Sequence, residues 1–239
     1  LLDLADSSQN TDFAANIVLT GAEAVAGGMS NDTIRGDAAD NSIDGGYGND
    51  VLQGREGDDT LMGNTGDDIL FGDDGADRLD GGAGIDRAQY SLSTVGLVAD
   101  LQDASVNTGW AAGDTYVGIE NLYGSAGNDT LRGDGGANTI WGGTGNDLLA
   151  GRLGNDVLSG GAGNDPFEFY NGDRSDAVSD FTDNADTLDL RGLGLTSAAQ
   201  AMTYARQSGV DVIFTFNASS ILTVRNTTLA VLSDDIIFS

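Results

Sequence analysis

The chain has 239 residues, 37 Gly, one Pro, no Cys, no His and a formal net charge of -28 at pH 7. Without Cys or His there are no disulfides, no thiolate or imidazole metal sites and no nucleophile-histidine catalysis, and the acidity repels nucleic acid and anionic membrane surfaces. Cations are the natural partners, and a bound metal must be a hard ion that prefers oxygen.

Residues 1–26 read as a truncated, strand-rich leader. Its start, LLDLADSSQN, has neither the basic residues nor the long apolar stretch of a signal peptide. No apolar run in the chain approaches the roughly 20 residues that span a bilayer, so no membrane insertion is expected. The chain does not begin with Met, and it is expected to be the C-terminal part of a larger protein.

Residues 27–89 can be written in nines: GGMSNDTIR, GDAADNSID, GGYGNDVLQ, GREGDDTLM, GNTGDDILF, GDDGADRLD, GGAGIDRAQ. Six positions rich in Gly, Asn and Asp suit a tight turn, and the last three alternate polar, apolar, polar as a short half-buried strand does. The eighth position (Ile34, Ile43, Leu52, Leu61, Leu70, Leu79) is expected to point inward. Ala88 breaks this column, so the first array is expected to end there. Residues 90–123 form a second strand-rich leader, including YSLSTVGLVADLQD and TYVGIENLYGS.

The register returns over residues 124–168 as GSAGNDTLR, GDGGANTIW, GGTGNDLLA, GRLGNDVLS, GGAGNDPFE, with Leu131, Ile140, Leu149, Leu158 and Phe167 in the apolar column. Pro166, which cannot donate a ladder hydrogen bond, is expected to mark its end. A displacement of 97 residues lays residues 1–68 over 98–165 with about half of the positions identical, so leader and array were duplicated together.

One apolar residue per copy cannot make a core, so copies must stack, and two copies per coil bring residues 18 apart into register. Asp32, Asp50, Asp68 and Asp86 then line one edge, and Asn41, Asp59 and Asp77 the other. In the second array Asp129, Asp147 and Asp165 form one ladder, and Asn138 and Asp156 the other. Carboxylates stacked in this way repel unless a cation lies between them, and turn carbonyls can complete its oxygen shell. Asn41 and Asn138 each lose one carboxylate charge, so their sites are expected to be weaker. A solvated glycine-rich linker is the competing reading, and the inward apolar column argues against it.

The recurring GGxGxDxUx resembles the RTX nonapeptide of hemolysin-type proteins. The resemblance implies an all-β fold: two right-handed parallel β-rolls joined by strand-rich segments, with Ca²⁺ between successive turns on the same side. The ladders allow about eight such ions.

Residues 169–239 are expected to form a C-terminal β cap, with a short helix near Ser197 to Gln207 and strands in VDVIFTF and ILTV. The segment is similar to the C-terminal end of serralysin-like exoproteins, a D-x-x-x-D-F and D-x-x-D-L run matched by Asp176, Asp180, Phe181, Asp186, Asp189 and Leu190. Asp176, Asp180 and Asp186 are candidates for a further Ca²⁺ or for turn caps. The end, Asp234, Asp235, Ile236, Ile237, Phe238 and Ser239, resembles the uncleaved signal read by a type I secretion exporter; a plain terminal strand is the alternative.

The expected function is that of a calcium-binding region that folds outside the cell, in a secreted, extracellular or cell-surface setting, and supports secretion and stability of a larger exoprotein. Two alternatives stay open: a polysaccharide-binding or adhesin module using outward aromatics such as Trp141 and Phe71, and a self-associating, calcium-dependent surface layer. The carboxylate pairs repeat along the chain instead of converging on one cleft, so no catalytic residue is expected in this fragment.

Overall fold

The computed structural model describes residues 2–3 and 24–238, so most of the leader expected over residues 1–26 lies outside the described residues. The chain divides into two compact units, Leu1–Ser93 with Leu97–Tyr123, and Thr94–Gly96 with Gly124–Ser239. Both are built mainly of parallel strands.

In the first unit the strands are β1 (Leu2–Asp3), β2 (Ala24–Gly28), β3 (Thr33–Arg35), β4 (Ser42–Tyr47), β5 (Val51–Glu56), β6 (Thr60–Thr65), β7 (Ile69–Asp74), β8 (Arg78–Ala83), β9 (Arg87–Gln89), β10 (Val98–Asp100), β11 (Thr115–Val117) and β12 (Asn121–Tyr123). They form two sheets of alternate repeats, β1-β3-β5-β7-β9-β12 and β2-β4-β6-β8-β11. The register sets Ile34 beside Leu52 and Leu52 beside Leu70, and in the other sheet Ile43 beside Leu61 and Leu61 beside Leu79. Two repeats therefore make one coil, and the chain returns to the same edge after 18 residues. The apolar column fills the space between the sheets: Ile43, Leu52, Leu61, Leu70 and Leu79 are fully buried.

Strands run longer than the expected three residues. Ser42–Tyr47, for example, continues through Gly45 and Gly46, because alternation turns the first glycine of the next repeat inward as well. Only a residue without a Cβ fits there, as the carboxylate geometry below shows.

Nor does stacking stop at Ala88. That residue is fully buried, pairs with Leu70, and is followed by Leu122 of β12, so a methyl group suffices where the leader supplies the next layer. β11 likewise lies parallel to β8, with Tyr116 beside Leu79. β10 and 3-10 turns at Ala104–Val106 and Gly109–Ala111 occupy the chain between β9 and β11.

The second unit contains β13 (Thr130–Arg132), β14 (Thr139–Thr144), β15 (Leu148–Ala150), β16 (Val157–Ala162), β17 (Pro166–Tyr170), β18 (Ser175–Val178), β19 (Thr187–Gly192), α1 (Ala198–Met202), β20 (Ala205–Ser208), β21 (Asp211–Asn217), β22 (Ser220–Val224), α2 (Leu229–Leu232) and β23 (Ile236–Ile237). Its sheets are β14-β16-β18-β22-β21-β20 and β13-β15-β17-β19-β23. Pro166 is not a terminus: it opens β17, a position whose amide the ladder can spare, and pairs with Thr187. The helix near Ser197 is short, because residues from Ala205 onward are recruited into antiparallel pairing with β21. β20, β21 and β22 form an antiparallel meander, and Ile236 and Ile237 add a parallel strand to β19. Among the described residues no helix is long and apolar enough to cross a membrane.

Candidate cation ladders

Each sixth-position aspartate precedes a strand and turns its carboxyl back under the coil. Its Oδ1 accepts the backbone N–H of the equivalent residue one coil earlier: Asp50 from Asp32 at 2.7 Å, Asp68 from Asp50 at 2.7 Å, and Asp86 from Asp68 at 2.8 Å. On the other edge Asp59 accepts from Asn41 at 2.7 Å and Asp77 from Asp59 at 2.8 Å. In the second unit Asp147 accepts from Asp129, Asp165 from Asp147, and Asp156 from Asn138, each at 2.8 Å.

The second oxygen is the informative one. The Oδ2 atoms of Asp50, Asp59, Asp68, Asp77, Asp86, Asp147, Asp156 and Asp165 are buried and have no hydrogen-bond partner among the described residues. A buried carboxylate oxygen without a partner is costly, and eight of them in register point to a missing counter-charge. Each faces the first glycine of its own repeat. A Cβ on Gly63 or Gly142 would run into the Oδ2 of Asp68 or Asp147, and would lie 2.7 Å from the carbonyl of Gly81 or 2.5 Å from that of Gly160, respectively. The space that the missing side chain leaves is thus lined by a carboxylate oxygen and a backbone carbonyl from the next coil, a donor set suited to a hard divalent ion. Among the described residues no three carboxylates gather around one point. The gaps depend on backbone oxygens as much as on acids.

Burial holds these carboxyls well above their ordinary value. It raises Asp50, Asp77, Asp86 and Asp156 from 3.8 to about 6, and Asp59 and Asp147 to about 7; ladder N–H groups oppose the rise and neighbouring carboxylates add to it. Asp68 and Asp165 are raised for the same first reason.

Asp129 differs from the other ladder members, since both its oxygens are engaged by Ser125, from the N–H at 2.6 Å and from the hydroxyl at 2.7 Å. Asp32 is only half-buried. Asn41 and Asn138 stand in their ladders, but their amide oxygens accept from the N–H of Asp37 and Asp134 at 2.8 and 3.0 Å. Of the C-terminal candidates, Asp176 and Asp186 prolong the ladders by accepting from Asp156 at 2.9 Å and Asp165 at 3.0 Å. Burial raises them to about 7 and about 6. Asp180 accepts from the Ser159 hydroxyl at 2.5 Å and from Gly160 and Gly161 N–H, and its charge adds to the rise at Asp165 and Asp186. Asp235 is buried, and its backbone carbonyl accepts from Leu188.

Two leader residues join the first unit's ladders although no nonapeptide surrounds them. Asp114 accepts from Asp77 N–H at 2.9 Å, and Glu120 Oε2 accepts from Asp86 N–H at 2.8 Å. Each directly precedes a short strand with a large middle residue, Thr115-Tyr116-Val117 and Asn121-Leu122-Tyr123, which is the one sequence signal that marks them. The other oxygen of Asp114 is satisfied by the Tyr90 hydroxyl at 2.6 Å. A second set of staples uses the fifth position and runs the opposite way: Asn31, Asn49 and Asp67 accept from N–H groups one coil later at 3.0, 3.1 and 2.9 Å.

Phe71 and Trp141 are half-buried and stand beside Gln53 and Ser159, respectively, in their sheets.

Stacked two-repeat coils with oxygen-lined gaps define a calcium-binding parallel β-roll. The family model for the RTX calcium-binding nonapeptide repeat matches four times, over residues 26–61, 53–88, 114–149 and 132–165, and both arrays belong to that family. Among solved structures, the AlgE6R3 subunit of the Azotobacter vinelandii mannuronan C5-epimerase is 27% identical, with a TM-score of 0.42, over 50% of this chain and 77% of that one. The extracellular lipase LipA of Serratia marcescens is 22% identical, with a TM-score of 0.33, over 87% of this chain and 40% of the lipase. A comparison with curated proteins gave no match.

Proposed function

We propose that the chain is a calcium-folded export and stability region of a larger secreted protein. The observation that carries this reading is the row of eight buried, unpartnered Oδ2 atoms. Asp50, Asp59, Asp68, Asp77, Asp86, Asp147, Asp156 and Asp165 would hold the ions, with Asp32 and Asp129 at the outer rungs and Asp176 and Asp186 extending the second unit. Bound Ca²⁺ supplies the charge that these oxygens lack. About eight divalent ions would offset some sixteen units of the net charge of -28.

Where calcium is scarce, as in a cytosol, the buried carboxylates oppose the coil and the chain stays open for transport; where it is plentiful, binding and folding are one equilibrium. Asp234, Asp235, Ile236, Ile237 and Phe238 would be read by a type I exporter while still open. Ile236 and Ile237 then become part of the folded edge as β23 beside β19.

Circular dichroism of the full chain in chelator and in millimolar Ca²⁺ tests the folding half; a native β signal without metal would overturn it. Deleting Asp234 to Ser239 from an exported reporter fusion tests the other half. Export should stop while calcium-driven folding of the rolls persists, and undiminished export would place the signal elsewhere.

A further inference from the structure

The two rungs headed by Asn41 and Asn138 share a set of features, of which only the loop N–H on the sixth-position oxygen recurs elsewhere, at Asp129. The sixth-position side chain carries no charge, and its oxygen is occupied by the loop's own N–H from Asp37 or Asp134. Its amide nitrogen is likewise used, 3.3 Å from the carboxylate of that same aspartate. Eighteen residues after the first glycine of each of these repeats comes an arginine one position later, Arg55 and Arg152. Its guanidinium donates to the carbonyl of that glycine: Arg55 Nη1 to Gly36 at 2.6 Å, and Arg152 Nη1 to Gly133 at 2.8 Å.

Arginine is an unexpected residue there. At the same position of other repeats Gly46, Gly82, Gly143 and Gly161 adopt φ values of 98°, 97°, 111° and 92°, the left-handed region that glycine enters freely. Arg55 and Arg152 are held in that region at φ 85° and 69°, whereas the other non-glycine second-position residues found there, Asn64 and Asp73, are of the types that tolerate it. Among the twelve repeats, arginine occurs at the second position only twice, both times opposite an asparagine rung, and the two pairs are related by the 97-residue duplication. A strained backbone kept twice, with a cationic group on a carbonyl beside the gap and an uncharged amide in place of the sixth-position carboxylate, has a single economical explanation.

We propose that Arg55 and Arg152 are built-in replacements for the metal ion, so that each unit has one rung that takes no calcium. The inference rests on the calcium reading of the other rungs. It implies that the Asn41 and Asn138 sites are not weak calcium sites but closed ones, each carrying its cation on a side chain. A rung of this kind does not depend on the calcium concentration, and it places one pre-neutralised coil near the start of each array.

The test restores the family pattern and counts ions. Calcium per chain is measured by native mass spectrometry and by isothermal titration calorimetry on the full chain, with circular dichroism to establish that each variant folds. Asn41→Asp combined with Arg55→Gly should gain one ion, and Asn138→Asp with Arg152→Gly should gain one independently, which keeps the test open if either pair fails to fold. Asn41→Asp alone should leave the count unchanged, because the guanidinium still holds the position. A double variant that folds with the parental count, or an extra ion in Asn41→Asp alone, would overturn the proposal. A parent chain that binds no calcium would instead sink the calcium reading itself.

Discussion

Replacing Asp147 by Asn should change stability in opposite directions with and without calcium. Asp147 is fully buried, its Oδ1 accepts from Asp129 N–H, and its Oδ2 is unpartnered. The amide keeps the acceptor and the shape and removes only the charge. In chelator the folded-state pKa stands near 7 against 3.8 for the free group. A raised folded pKa means that stability is present below 3.8 and lost as pH rises through about 7. At about 1.4 kcal/mol per pH unit the penalty at pH 7.5 is at most about 4 kcal/mol, and solvent screening reduces it to about 1–3 kcal/mol. Asn escapes that penalty, so the metal-free fold gains. With calcium bound, the same substitution removes a charged ligand. Even at the dielectric constant of water, a divalent ion about 2.4 Å from a carboxylate oxygen gains about 3 kcal/mol, roughly a hundredfold in affinity for that ion. The metal-free side is read by titrating trimethylamine oxide into chelated protein and following β signal, the loaded side by urea unfolding in saturating Ca²⁺. The variant should fold at lower osmolyte and unfold at lower urea. A shift of the same sign in both experiments would refute the argument that the ladder carboxylates are cation ligands whose charge the apo fold cannot carry.

Three further outcomes are expected. Asp68→Ala should impair calcium-driven folding more than Asp32→Ala, because Asp68 is fully buried between two rungs and its loss leaves the Asp50 N–H without an acceptor, costing about 1–3 kcal/mol beyond the ion; equal calcium midpoints would contradict this. In chelator, lowering the pH from 7.5 to about 4.5 should increase β signal, since Asp50, Asp59, Asp77, Asp86, Asp147 and Asp156 titrate near 6 to 7 in the fold and take up the proton that replaces the ion; a flat pH profile would count against it. Tyr90→Phe should orphan one oxygen of Asp114 and destabilise the first unit by about 1–3 kcal/mol in calcium, measured by urea unfolding, with the second unit's transition unmoved.

The nonapeptide made the core legible. An apolar residue at every eighth position and an 18-residue return were sufficient to place Leu52 beside Leu70 and Asp50 beneath Asp32, because both follow from strand alternation and from coils of two equal repeats. The rungs at Asp114 and Glu120 were not legible, since 37 and 34 residues separate them from their donors, and spacing carries no information once a segment leaves the coil and returns. The fifth-position staples were hidden for a different reason. Asn and Asp in a glycine-rich turn already have a local explanation as turn formers, and only the folded coil shows that Asn49 accepts from the next coil. At the asparagine rungs the lost charge is visible in the sequence, whereas the hydrogen bond that engages each amide oxygen is not.

The unequal spacing of the rungs has a consequence for how such a chain can change. Successive ladder partners lie 18 residues apart in the arrays, 34 and 37 apart across the leader, and 20 and 21 apart at the C-terminal side of the second array. The coil requires only that an acceptor arrive at the right edge, followed by one inward apolar residue, and is indifferent to the length of chain spent on the way. Foreign segments should therefore be grafted most safely between Tyr90 and Asp114, where the molecule already makes a detour of this kind and resumes its ladder afterwards.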